Sequence, residues 1–209
     1  YKVDPPFAIQ LEPVEGCSLA CSFCGIQSIR DNGADAELGL HGKNSAPYRF
    51  ANPGMIESVA KQAAALGWNP RWEFAMHGEP TMHPDLPDLV ARVRKHFKRG
   101  YIMVTSNGSG LLKNCPQQVK DLFDAGLNTL ALDDYKHSGG WVPRIRDKLG
   151  EYMTLVGPMD GVKWFDYPAD KAGNPHQRHT GKKLVFIHDI SENTEGTHRS
   201  EERRVGKEC

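Results

Sequence analysis

The sequence predicts an α/β fold assembled from parallel βαβ units, and three observations carry that prediction. Apolar runs of four to seven residues alternate with segments of helical periodicity, in units of roughly 30 residues. One such run, residues 101–105, is almost continuously apolar, as befits a parallel strand buried on both faces. Four polar or glycine-rich motifs each follow a predicted strand directly. Right-handed crossovers then leave two architectures open, a barrel or a doubly wound sheet.

The elements follow in order. Residues 7–13 alternate apolar and polar and stop at Pro13, which reads as a first strand feeding a cysteine-rich loop. Residues 26–52 carry Gly33, Gly39, Gly42 and Pro47 without periodicity and form a long connection. Pro53 suits a helix start. Met55, Ile56, Val59, Ala60, Ala63, Ala64 and Leu66 fall on one helical face, and Gly67 lies just past its end. A strand at 72–76 runs into His77-Gly-Glu-Pro80, and a helix over 85–98 follows with Leu86, Leu89, Val90, Val93 and Phe97 on one face. The strand at 101–105 ends in Ser106-Asn107-Gly108. A helix at 116–125 closes at Gly126, and a strand at 127–132 ends in Asp133-Asp134-Tyr135. A helix at 143–153 and a weaker strand at 162–165 come next. The last apolar run, 183–188, follows a Pro- and Gly-containing stretch with no helical pattern, and a parallel return normally needs a helical crossover. An antiparallel hairpin is therefore expected over 167–198.

Composition narrows the function classes. Apolar residues make up 39 % and charged residues 25 %, typical of a soluble globular chain. Formal net charge is zero, so nothing advertises a nucleic acid or an anionic membrane as partner. No apolar run approaches the roughly 20 residues of a membrane span, and the default compartment is the cytoplasm. Residues 199–209 hold seven charged residues of eleven, with Val205 the only aliphatic one, and cannot bury a core face. They resemble a translated sequencing-adapter oligonucleotide and are expected to stand outside the fold. Without them Lys+Arg falls from 26 to 22 and Asp+Glu from 26 to 23, so the net charge becomes −1.

Of the five cysteines, three are crowded into Cys17-Ser-Leu-Ala-Cys21-Ser-Phe23-Cys24, which is not the pattern of a secreted disulfide framework. Cys115, alone before Pro116, reads as structural. Thiols at i, i+4 and i+7 can share one metal centre if the chain loops around it. Tetrahedral zinc would need a fourth ligand, for which His41 and His77 are available. Three thiolates on an iron–sulfur cluster would instead keep one iron open. In parallel α/β folds ligands sit outside the carboxyl ends of the strands, so the cysteine loop, His-Gly-Glu-Pro, Ser-Asn-Gly and Asp-Asp-Tyr share one rim.

This spacing, with the aromatic before the third cysteine and the strand-end His-Gly-Glu-Pro, resembles the radical S-adenosylmethionine (radical SAM) superfamily over roughly residues 7–165. The resemblance implies a partial (β/α)6 TIM-like barrel, truncated at its C-terminal side. Its core would occupy residues 1–166, and the remaining wall would begin at 167–198. It implies that Cys17, Cys21 and Cys24 hold a [4Fe–4S] cluster whose fourth iron is chelated by SAM. Reductive cleavage of SAM then gives a 5′-deoxyadenosyl radical that abstracts hydrogen from a substrate. By the same resemblance Phe23 lies against the adenine, and Gly78, Glu79 and Pro80 form the motif that grips the amino-acid part of SAM. There Gly78 allows close approach and Glu79 accepts from the ammonium. His77 departs from the family's first glycine. Ser106, Asn107 and Asp133 match positions that contact the methionine or ribose parts, although Asn-Gly is also a turn pair and Asp133 could cap a loop. A small-molecule or peptide substrate and a flavodoxin- or ferredoxin-type reductant complete the expectation. A non-catalytic zinc or iron–sulfur module, and an inactive fragment, are the competing readings. His83, near a helix start, could serve structure or acid–base chemistry.

Overall fold

The computed structural model describes residues 4–19, 48–134, 141–155, 162–168 and 183–189. The expected connection at 26–52 falls mostly outside them, and Tyr135 and the tail at 199–209 fall wholly outside.

Six strands form one sheet. In chain order they are β1 (Ala8–Leu11), β4 (Arg71–Phe74), β5 (Ile102–Ser106), β6 (Thr129–Asp134), β7 (Val162–Pro168) and β8 (Lys183–Asp189). The first four are neighbours in that order, and every pairing in the sheet is parallel. Between β1 and β4 the chain makes two short strands, β2 (Val14–Glu15) and β3 (Arg49–Phe50), paired antiparallel. Four helices complete the described fold: α1 (Pro53–Ala65), α2 (Leu86–His96), α3 (Cys115–Asp124) and α4 (Trp141–Leu155).

Side-chain alternation along the strands decides between the two architectures. Ile9 and Leu11, Trp72 and Phe74, Ile102 and Val104, Leu130 and Leu132 all join one core. That core also takes Ile56 and Ala60 of α1, Leu89 and Val93 of α2, Val119 and Leu122 of α3, and Ile145 and Leu149 of α4. All four helices therefore pack on the same face. Strands added in chain order with crossovers of one hand give this one-sided winding; a doubly wound sheet reverses order and covers both faces. The arrangement is that of a barrel wall. On the opposite face Gln10, Glu73, Met103 and Thr129 stand side by side across four strands by register. Gln10 Nε2 donates to Glu73 Oε2 at 2.8 Å, Arg71 pairs with Glu73, and Tyr101 and Thr129 share a hydroxyl hydrogen bond of 2.6 Å.

Local signals place the helix ends. Asn52 caps α1, its Oδ1 accepting from Gly54 N at 2.8 Å, with Pro53 opening the helix as expected. The apolar face of α1 is narrower than predicted. Ile56, Ala60 and Ala63 are buried, whereas Met55 and Leu66 are exposed, because only one stripe meets the sheet. The apolar face predicted for α2 is buried throughout, Phe97 included. Arg94, in the last turn of α2, donates to the carbonyls of Phe97 and Gly100 (both 2.7 Å), to Gly126 O (2.6 Å) and to Asn128 Oδ1 (2.6 Å). Gly126, at φ +102°, lets this side chain pass: a Cβ there would stand 2.7 Å from Arg94 Cγ.

One expectation is overturned. Residues 162–168 and 183–189 do not form an antiparallel hairpin: β8 is inserted between β6 and β7 and pairs parallel with both. A strand with neighbours on both edges takes its direction from the sheet it completes. The composition of the connection does not override six registered pairs on one edge and seven on the other.

Candidate functional site

The described motifs meet at the carboxyl-terminal rim of the sheet. The chain leaves β1, turns at Pro13 and runs through β2 to Gly16 and Cys17. This strap lies closely against the turn that follows β4. A Cβ on Gly78 would fall 1.6 Å from Val14 O, so no other residue fits, and the close approach that requires glycine there is made by the protein's own backbone. Glu79 N then donates to Gly16 O at 2.9 Å, and Ala51 N to Pro13 O at 2.9 Å. The loop carrying the first cysteine is thereby fixed to the His-Gly-Glu-Pro turn. Met76, just before that turn, sits at φ +117°, a conformation that L side chains rarely adopt.

Glu79 occupies the centre. It is 2 % exposed and caps the 3-10 turn Pro80–Met82, with Pro80 at its first position. Its Oε1 accepts from Thr81 N (2.9 Å), from Thr81 Oγ1 (2.5 Å) and from Ser106 Oγ; its Oε2 accepts from Asn107 N at 2.8 Å. No lysine, arginine or histidine pairs with it among the described residues. Burial pushes its carboxyl pKa up, and the hydrogen bonds from Ser106, Thr81 and Asn107 pull the other way. Glu79 is thus a helix-start carboxylate as well, and a buried one.

Asn107 ties the two motifs together. Its backbone holds Glu79, and its Nδ2 donates to Cys17 Sγ at 3.4 Å; the same sulfur accepts from Leu19 N at 3.4 Å. Two N–H donors on one sulfur favour the thiolate, which is the form that ligates iron or zinc, so the surroundings of Cys17 fit a metal-bound role. Ser18 Oγ lies 2.6 Å from Ser109 Oγ, a second link between the loop and the end of β5.

Of the remaining predicted positions, Asp133 closes β6 on the same rim, half-buried and registered with His188. Cys21, Cys24, Phe23 and His41 lie outside the described residues, and among the described ones no three metal-ligating side chains converge. His77 is partly exposed, its Nδ1 3.6 Å from Glu12 Oε2. His83 is structural: Nδ1 accepts from Asp85 N (3.0 Å), which leaves Nε2–H to donate to Ala51 O (3.2 Å). Cys115 is buried as expected, its thiol pushed up to about 12 by burial. Thr81 was missed by sequence reasoning. Its signal was its place two residues after a strand-end Glu and one after Pro, where a capping carboxylate meets a backbone N–H. A separate cavity of about 670 Å³, lined by Phe7, Arg71, Arg99 and Tyr101 among others, opens beside the start of β4 at the opposite rim.

Comparison with known proteins finds likenesses in sequence and in fold. The profile of the Radical SAM superfamily matches residues 11–133. A GTP 3′,8-cyclase from Pectobacterium atrosepticum is 26 % identical over 124 residues, which make up 59 % of this chain and 32 % of that protein. Among solved structures, BtrN in complex with AdoMet and 2-DOIA superposes with a TM-score of 0.50 at 14 % identity, over 87 % of this chain and 56 % of that one. The chain thus spans about a third of the curated relative and about half of the BtrN chain.

Proposed function

The chain belongs to the radical SAM superfamily, and from that premise we propose that Cys17, Cys21 and Cys24 hold a [4Fe–4S] cluster beside a SAM site floored by Glu79. The observation that carries this reading is Asn107, which holds the Cys17 sulfur with its side chain and the Glu79 carboxylate with its backbone. Bound there, the cluster would supply the electron that cleaves SAM to a 5′-deoxyadenosyl radical.

The chain's own residues bind and exclude. Glu79 is a buried anion held only by neutral donors, so its charge is uncompensated among the described residues and suits the ammonium of SAM. Oε2 carries one backbone donor and keeps acceptor capacity for another. Ser106 and Thr81 fix that carboxylate at Oε1. Asp133 stands on the neighbouring strand end, where a polar group would meet the methionine or ribose parts. Phe23 is proposed to lie against the adenine. The radical's substrate is proposed to be a small molecule or a peptide, and the electron source a flavodoxin or ferredoxin.

Anaerobic reconstitution with iron and sulfide, followed by dithionite reduction in the presence of SAM, tests the reading. The expected outcome is a brown protein that forms 5′-deoxyadenosine, with both colour and product lost in Cys21→Ala. A colourless protein holding zinc at a thiolate site, or turnover that survives Cys21→Ala, would overturn it.

A further inference from the structure

We infer that Asn107 is a positioning residue for Cys17 whose side-chain amide, by donating to that sulfur, raises the reduction potential of the cluster it holds. The inference rests on the cluster reading above and goes beyond it, since the resemblance assigned Asn107 to SAM rather than to a cysteine.

The orientation of the amide is settled by its surroundings. Asn107 is 5 % exposed. Its Oδ1 accepts from Ser109 N at 2.9 Å, and only the oxygen end can do so; the NH2 end is therefore the one facing Cys17 Sγ at 3.4 Å. The backbone N of the same residue is anchored on Glu79 Oε2 at 2.8 Å. Three bonds thus aim one donor at one sulfur, from a residue 90 positions away in the chain. A second N–H on that sulfur among the described residues, from Leu19, is local, two positions along the same strap. Asn107 supplies the contact that belongs to the rigid sheet.

Hydrogen bonds to cluster sulfurs are one of the levers that set reduction potential. One electron from an external reductant makes the cluster more negative, and an N–H dipole pointed at a thiolate stabilises the reduced form more than the oxidised form. Without that donor, the same electron is accepted at a lower potential. The buried Glu79 beyond Asn107 acts in the opposite sense through its negative charge, so the amide also stands between an anion and the sulfur.

The test is a redox titration of the reconstituted protein, monitored by EPR, in wild type, Asn107→Asp and Asn107→Leu. Asp keeps the acceptor for Ser109 N and loses the donor; Leu loses both and adds no charge. In preparations with wild-type iron and sulfide content, the midpoint potential should fall in both variants, further in Asp, and Asn107→Gln should recover part of the shift. An unchanged potential in Leu overturns the inference even if Asp shifts, because charge alone would then explain Asp. A measurement without substitution stands beside it: protein labelled with 15N in its asparagine side chains should show a weak 15N coupling to the reduced cluster by pulsed EPR. Absence of that coupling overturns the inference while leaving the cluster reading intact. Wild-type protein that takes up no cluster overturns both.

Discussion

Arg94 and Glu79 are opposite charges at opposite rims of one sheet, and neither meets a counter-ion among the described residues. Arg94 is satisfied by oxygens: the carbonyls of Phe97, Lys98, Gly100 and Gly126 and the amide oxygen of Asn128. Glu79 is satisfied by N–H and O–H groups from Thr81, Ser106 and Asn107. The difference follows from the direction of the chain. Parallel strands with every helix returning on one face collect helix C-termini, with their orphan carbonyls, at one rim, and collect N–H groups at the other. A guanidinium suits the first rim and a carboxylate the second. Arg94 uses up its donors within the protein and reads as a structural knot. Glu79 keeps acceptor capacity on Oε2 and is bridged to Cys17 by Asn107, so its rim is the one proposed to take a cationic ligand.

Removing the anion should break the comparison most severely. Glu79→Ala leaves the Thr81 and Asn107 N–H groups and two hydroxyls without an acceptor in a buried setting. We expect a loss of about 4 kcal/mol in urea unfolding together with loss of SAM binding. Removing the cation should have a smaller effect, because Arg94 is only half-buried and water can reach some of the carbonyls it leaves. Arg94→Met should cost about 2 kcal/mol with SAM binding unchanged.

The carboxyl's titration sharpens the comparison further. Burial raises the folded-state pKa of Glu79 above its ordinary value of 4.5, so as pH rises the unfolded chain releases its proton first. The folded state consequently loses stability relative to the unfolded chain above that value. Glu79→Gln, which cannot ionise, should lack this slope. In cluster-free protein unfolded by urea from about pH 4 to about pH 8, the stability difference between wild type and Glu79→Gln should therefore narrow as pH rises. A difference independent of pH would show that the carboxylate is as comfortable buried as exposed. The smallest effect expected is a gain. Met76 is held at positive φ, and Met76→Gly should stabilise by about 1 kcal/mol, the relief of strain exceeding the added chain entropy of glycine.

How much of this was legible depended on the range of the interaction. Helix starts at Pro53 and Leu86 and the parallel strands from Leu11 to Asp134 were visible because periodicity and capping are local signals. The shared rim followed from the parallel topology, so Cys17, Glu79, Asn107 and Asp133 were brought to one edge as expected. What lay hidden was long-range. Nothing around Gly78 reveals that Val14, 64 positions earlier, lies across it. Nothing around Asn107 reveals that its amide faces a sulfur rather than a ligand. The order β6–β8–β7 was invisible for the same reason: edge partners are chosen by the assembled sheet, not by the 14 residues that join β7 to β8. The narrower face of α1 has a related cause, since periodicity gives the direction of a helix's apolar stripe but not the width of the surface it meets.

The short ladder between β2 and β3 has a consequence for where the first cysteine stands. Val14 pairs with Phe50 and Glu15 with Arg49, so the chain departs and returns at a single stitched base. That seam anchors the first thiol, two residues past Glu15, to the body that carries the Glu79 carboxylate, so the two keep their separation.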